Sequence, residues 1–186
     1  TDYIFPALQG NALYEGRYLL GTSLARPILA KKQIEIAAKE DTEYVSHGST
    51  GKGNDQVRFQ LSANMINPDI QVYAPWRDEE FLKEFPGRAE MIEYCESEGL
   101  PIRPGKESKY STDANFLGLT HEAGDLETVS ISPDFVEPGM GQWPWDAPDV
   151  PEYVSIRWEE GRPVSVNGNE MSLIELFGHC NDIAGR

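Results

Sequence analysis

Residues 47 to 55 read HGSTGKGND, which places three glycines, two hydroxyls, a lysine, an amide and a carboxylate in nine consecutive positions. Such a stretch can cradle an anion, because glycines let backbone N–H groups close on oxygens with no Cβ in the way. It is not the Walker loop G-x-x-x-x-G-K-[ST]. Gly48 and Gly51 enclose only Ser49 and Thr50, and Gly53 follows Lys52 where a hydroxyl is needed. A P-loop kinase is thereby weakened, and the loop still asks why Asn54, Asp55 and Arg58 follow at once.

Two further stretches gather polar groups. YEGRYLLGTSLARP (14–27) brings Tyr18 and Ser23 around the start of a helix, with Arg17 and Arg26 nearby. YSTDANFLGLTHEAG (110–124) clusters Ser111, Asp113, Asn115, Thr120 and Glu122. Each residue also has a plain structural reading: Ser23 as a helix cap, Tyr18 as a half-buried aromatic, Ser111 as a turn former. His47 abuts the glycine loop and reads equally as a nucleotide contact or a packing residue, whereas His121 and His179 read as packing or surface residues. WPW (143–145) reads as a proline-stiffened, packed loop. Cys95 and Cys180 follow no metal-ligand spacing, and no metal site is expected; they read as reduced, buried thiols of a cytoplasmic protein.

Elements must hold these groups in place. Thr22 to Asp41 predicts a helix capped by Thr22 or Ser23, with Leu24, Ile28, Ala30, Ile34 and Ala37 at near-helical spacing. YVSH (44–47) predicts a strand ending at the glycine loop, NDQVRFQLSANM (54–65) a helix, and IQVYAPW (70–76) a second strand. Strand, loop, helix, strand is a βαβ unit with parallel strands. In such sheets ligands lie beyond the carboxyl ends of strands, with helix N-terminal amides aimed at an anion. A charged helix is expected from about Asp78 to Glu98. Composition then shifts to proline and glycine with few helical signals, in PIRPGKE and GMGQWPWDAPDVP, so a domain boundary is expected near 96–102. YVSIRWEEGRPVSVNG (153–168) predicts a hairpin turning at Glu-Glu-Gly-Arg. The segment from Met171 predicts an amphipathic helix capped by Ser172.

At 186 residues the chain can bury a core, and its net charge of −15 argues against nucleic acid and anionic membranes as partners. Up to Arg58 there are seven Lys/Arg and seven Asp/Glu; beyond it there are nine and twenty-four. The cations are thus kept where an anionic ligand would need them. No apolar run approaches a membrane span, and TDYIFPALQG lacks the layout of a signal peptide.

Taken together, GRYLLGTSLARP, HGSTGKGNDQVRF, APWR and YSTDANFLG, in this order and spacing, resemble the argininosuccinate synthase family across essentially the whole chain. The resemblance implies an α/β fold: a partial parallel-sheet nucleotide-binding domain of the adenine nucleotide alpha-hydrolase type (1–98), then part of an α+β synthetase domain (99–186). It implies ATP-dependent condensation of L-citrulline with L-aspartate through citrullyl-AMP, giving argininosuccinate, AMP and pyrophosphate in arginine biosynthesis. ATP would be a substrate, taken with Mg2+, and the family forms homotetramers.

By motif, Ser46, His47, Gly48, Ser49, Thr50, Gly51, Lys52, Gly53 and Asn54 would line the ATP site. Thr50, Asn54 and Asp55 would hold aspartate; Tyr18, Ser23, Asn54, Arg58, Ser111 and Thr120 would hold citrulline. Thr120 stands where the family usually has serine. No general base stands out, so catalysis is expected from positioning, with Asn54, Asp55 and Arg58 favoured. The flexible turn and the two hydroxyl-bearing stretches are expected to form one chamber. The family's first phosphate loop, S-G-G-x-D-T-S, occurs nowhere in these residues. A citrulline-contacting glutamate and tyrosine and an oligomerisation helix would lie beyond Arg186. The stretch is therefore expected to be the interior of a longer enzyme, inactive by itself. Two rival readings remain: a non-catalytic module sensing an amino acid or nucleotide, and another adenylating amide ligase.

Overall fold

A computed structural model describes residues 2–102 and 110–186. In chain order its helices and strands are α1 (Ile4–Gln9), α2 (Gly21–Lys39), β1 (Tyr44–Ser46), α3 (Asn54–Ile66), β2 (Gln71–Tyr73), α4 (Glu79–Glu84), α5 (Arg88–Ser97), β3 (Ser111–Asn115), β4 (Gly118–Glu122), β5 (Ile156–Glu159), β6 (Arg162–Val166), β7 (Asn169–Glu170) and α6 (Leu173–Ala184). Most of the PIRPGKE stretch lies outside the described residues. The chain divides into two compact units, Thr22–Ser108 on one hand and Thr1–Gly21 with Lys109–Arg186 on the other.

In the first of these units β1 and β2 pair in parallel, Val45 opposite Val72. Parallel neighbours need a crossover, and α3 supplies it. Ile34 and Ala37 of α2, Ala63 of α3 and Ile70 form a buried cluster on which Val45 and Val72 pack. Both helices therefore cover the valine face of the strand pair. Tyr44 and Tyr73, on the opposite face, are exposed. The expected βαβ unit is present, with shorter strands: β1 stops at Ser46, and Pro75 opens a single 3-10 turn at Pro75–Arg77.

Three local readings need correction. α2 begins at Gly21, so Thr22 and Ser23 lie inside its first turn and do not cap it. The helix expected over 78–98 is two helices, because Pro86 and Gly87 interrupt it. Asp78 caps the first of them, its side chain accepting from the N–H groups of Glu80 and Phe81. Cys95 and Cys180 are free thiols of intermediate exposure, not buried ones.

The other unit is built from two antiparallel sheets and α6. β3 and β4 form a hairpin around Phe116 and Leu117 that the sequence reading did not anticipate. β5 and β6 turn at Glu160 (φ 48°) and Gly161 (φ 75°), two left-handed residues that match the twist of a two-residue hairpin. Asn167 and Gly168 repeat the device and lead into β7, also unanticipated. β6 carries the buried positions, with Val166 wholly enclosed. α6 packs on β6 through Leu173 and Leu176, both buried, and each such side chain contributes about 1.5–3 kcal/mol. Ser172 caps α6 as expected, in a reciprocal box with Glu175.

Candidate functional site

The glycine loop leaves β1 at Ser46 and enters α3 at Asn54. None of its three glycines has a positive φ, so left-handed backbone is not what they provide. Gly51 is required by proximity: a Cβ there would lie 2.6 Å from the Trp76 carbonyl and 3.2 Å from Arg77 Cγ. Gly48 has nothing within 4 Å of its missing Cβ, leaving its backbone open on that side. Gly53, extended at φ −85°, precedes the helix without a side-chain cap. The first N–H groups of α3 therefore have no side-chain cap from the preceding residue, at the positive end of the helix dipole.

His47 is buried at the base of the loop. Its ring stacks on Phe59 of α3, and Nδ1 accepts from the Ser49 N–H at 3.2 Å. Accepting at Nδ1 assigns the ring proton to Nε2. That Nε2, and Nε2 of buried Gln56, lack any hydrogen-bond partner among the described residues. Burial also depresses the basicity of His47 below the ordinary imidazole value, so the neutral ring is favoured.

Asp55, one residue into α3, holds two arginines. Arg26 Nε donates to Oδ2 at 2.7 Å, and Arg58 Nη1 donates to Oδ1 at 2.8 Å. The trio carries a net charge of +1, so an acid at a helix N-terminus leaves that end cationic. The Arg58 guanidinium has further N–H donors beyond its bond to Asp55. Ser23 lies one helical turn before Arg26 and shares its face of α2. Pro27 lies within α2 and has no N–H to give to the Ser23 carbonyl. Ser23, Asn54, Asp55 and Arg58 are thus brought to one end of the helix pair.

The β3–β4 register explains the remaining polar cluster. Ser111 faces Glu122, Asp113 faces Thr120, and Asn115 faces Gly118. Because strand side chains alternate, these residues all share one face. Ser111 and Thr120 are diagonal neighbours on it. His121 lies on the other face, where Nδ1 is 2.9 Å from Thr112 Oγ1 and its ring meets Tyr110 edge-on. Tyr18 is half-buried in the same unit, in a tight turn bridged to Tyr14.

Of the residues singled out in sequence, Ser23, the Ser46–Gly53 loop, Asn54, Asp55 and Arg58 belong to one unit. Tyr18, Ser111 and Thr120 belong to the other. Arg26 and Arg77 were not singled out as site residues, yet one is bonded to Asp55 and the other packs against Gly51. Helical spacing from Ser23 was the signal for Arg26; the APWR motif was the signal for Arg77. Trp143 and Trp145 stack on each other with centroids 4.9 Å apart, yet Trp145 is 67% exposed, so the loop is not the packed one expected. Among the described residues there is no cluster of three His, Cys, Asp or Glu side chains able to cage a metal, and no helix long and apolar enough to cross a membrane.

Comparison with known proteins covers almost every residue. Residues 1–101 match the family described as "Arginosuccinate synthase N-terminal HUP domain", a nucleotide-binding fold, and residues 110–186 match "Arginosuccinate synthase C-terminal domain". The chain is 48% identical to the argininosuccinate synthase of Thermotoga petrophila, matching over 100% of its own length and 47% of that protein. It is 46% identical to those of Syntrophobacter fumaroxidans and Rhodopirellula baltica, of which it covers 45% and 46%. The chain thus spans about half the length of the curated relatives it matches.

Proposed function

Because the chain belongs to the argininosuccinate synthase family, we propose that the full protein joins L-citrulline to L-aspartate at the expense of ATP. The ureido oxygen of citrulline attacks the α-phosphorus of ATP and pyrophosphate leaves. The aspartate amine then attacks the ureido carbon, and AMP departs with the former ureido oxygen. A poor leaving group is converted into a good one, and the protein's task is to hold three polar reactants in register.

The observation that carries this reading is the cationic end of α3. The loop from Ser46 to Asn54 receives ATP, with Gly48 open to the phosphates and two buried donors, His47 Nε2 in the loop and Gln56 Nε2 in the first turn of α3, without partners among the described residues. Leaving such donors unpaired costs about 1–3 kcal/mol each, which a bound oxygen would recover. Thr50, Asn54 and Asp55 hold aspartate, Asp55 meeting its α-ammonium by exchanging one of its arginine partners. Citrulline is held by Tyr18, Ser23, Asn54, Arg58, Ser111 and Thr120, Arg58 offering its remaining donors to the carboxylate. The amine's proton can leave with the departing AMP phosphate, so no protein side chain is required as a base. Asn54, Asp55 and Arg58 act by positioning. Magnesium fits as a companion of the triphosphate more than of the protein, since Asp55, the carboxylate that follows the loop in sequence, is already bonded to two arginines. In domain terms, residues 1–98 contribute to the parallel-sheet nucleotide-binding domain and 99–186 to the synthetase domain.

The test uses citrulline carrying heavy oxygen in its ureido group. The protein at its full natural length should release AMP only when citrulline, aspartate and ATP are all present, and the heavy oxygen should appear in AMP. Unlabelled AMP would overturn the adenylation route. The 186-residue chain, which lacks the S-G-G-x-D-T-S loop, should release no AMP under the same conditions.

A further inference from the structure

Gly21 opens α2 three residues after Tyr18 and is buried. A Cβ on it would lie 2.5 Å from Oδ1 and 2.6 Å from Nδ2 of Asn115, so the Asn115 amide fills the space any side chain would need. That amide is not at liberty to swing aside. Its Oδ1 accepts from the Leu117 N–H at 2.8 Å within the hairpin turn, and the adjoining Phe116 carbonyl accepts from Asn181 Nδ2 of α6 at 3.2 Å. Leu20, immediately before Gly21, has φ 59°. Non-glycine residues keep that left-handed conformation only where their surroundings hold them in it. Asn115 also shares its hairpin face with Ser111 and Thr120.

We infer that Asn115 is a positioning residue for the amino-acid substrate: its amide is the seat on which the Tyr18–Gly21 segment rests beside the Ser111–Thr120 face. Asn115 need not touch the substrate. It fixes where the Tyr18 hydroxyl stands relative to the other two, and Gly21 is glycine because the seat leaves no room for a methyl group. This rests on the citrulline site proposed above, and it adds two residues which that site does not include.

A double-substitution cycle in the full-length protein tests it. Gly21→Ala must either dislodge the amide from Leu117 or lift the segment, and the citrulline KM should rise on the order of tenfold or more. The KM values for ATP and aspartate should stay within about twofold. Asn115→Ala alone should raise the citrulline KM in the same selective way. Gly21→Ala combined with Asn115→Ala has space for the methyl group, so the pair should be no worse than Asn115→Ala alone. A merely structural role would move all three KM values, or only the yield of folded protein. The inference is overturned if folded Asn115→Ala leaves the citrulline KM unchanged or shifts every KM alike, or if the two effects simply add. Should Gly21→Ala fail to fold, recovery of its melting temperature by Asn115→Ala decides whether the seat exists, and the Asn115→Ala selectivity decides its role. If the unsubstituted protein releases no AMP, the reaction itself is misread, while the melting-temperature cycle still reports on the seat.

Discussion

The ring of His47 lies flat on that of Phe59, with centroids 4.9 Å apart and planes inclined by 16°. The residue before the first glycine is thereby anchored to the second turn of the helix that the loop feeds. Burial holds the imidazole's proton affinity below its ordinary value of 6.5. The folded protein thus binds fewer protons here than the unfolded chain, and stability is greatest above about pH 6.5 and falls as the pH drops below it. Melting temperatures recorded from about pH 7.5 to 5.5 should decline. The decline should be shallower in His47→Phe, which keeps the stacking and cannot titrate. An equal slope in both proteins would place the effect elsewhere.

Asp55 neutralises two arginines that would otherwise repel each other. Asp55→Asn should destabilise the Thr22–Ser108 unit by roughly 1 kcal/mol, the discount reflecting side chains that keep partial solvent access. Added salt should restore part of the loss by screening the arginine pair. Urea denaturation at low and high salt measures both effects, and a salt-independent difference would contradict the electrostatic origin. In the full-length protein the aspartate KM should rise as well.

Gly51 and Gly48 make contrasting targets. Gly51→Ala drives a methyl group into the Trp76 carbonyl, a backbone atom that cannot rotate away. A cost of about 1–3 kcal/mol is expected, together with a raised KM for ATP. Gly48→Ala meets open space and should fold with unchanged stability. If it too weakens ATP, the loss reports on the approach of ligand to the backbone, and a normal ATP KM in Gly48→Ala would remove that residue from the cradle.

Ser172→Ala removes the hydroxyl that accepts from the Glu175 N–H and should cost about 0.5–2 kcal/mol. The Ser172 N–H donates to the Glu175 carboxylate in return, and these bonds to Ser172 hold the carboxyl below its ordinary 4.5. The reciprocal bond is fully present above that pH and is lost as acid protonates the group. Helical signal followed through acid titration should fade earlier in Ser172→Ala; superimposable curves would deny the box any role.

The elements with strong local signals were readable. Ala30, Ile34 and Ala37 announced the buried face of α2, and Ser172 announced the start of α6. Positions governed by contacts distant in sequence were not. Nothing near Gly21 tells of Asn115, and nothing near Gly51 tells of the Trp76 carbonyl. Ser23 looked like a cap because hydroxyls prefer that place, yet the helix starts two residues earlier. β3 and β4 went unrecognised because STDAN and GLTHE are polar and expose much of both faces, so alternation is faint. β7 had a signal that was passed over, the Asn-Gly pair at 167–168. For the site, residue types and order pointed to the loop and to Asp55. The cation pairing that lets Asp55 stand at a helix start depended on Arg26, which lies 29 positions away.

β1 and β2 run in the same direction, so neither can find the other until the intervening chain has travelled out and back. The glycine loop is the first stretch of that journey. It cannot be grafted onto another scaffold as a free-standing peptide and be expected to keep its shape. A protease that nicks it would also cut the tether between the two strands, turning a local wound into the loss of their pairing.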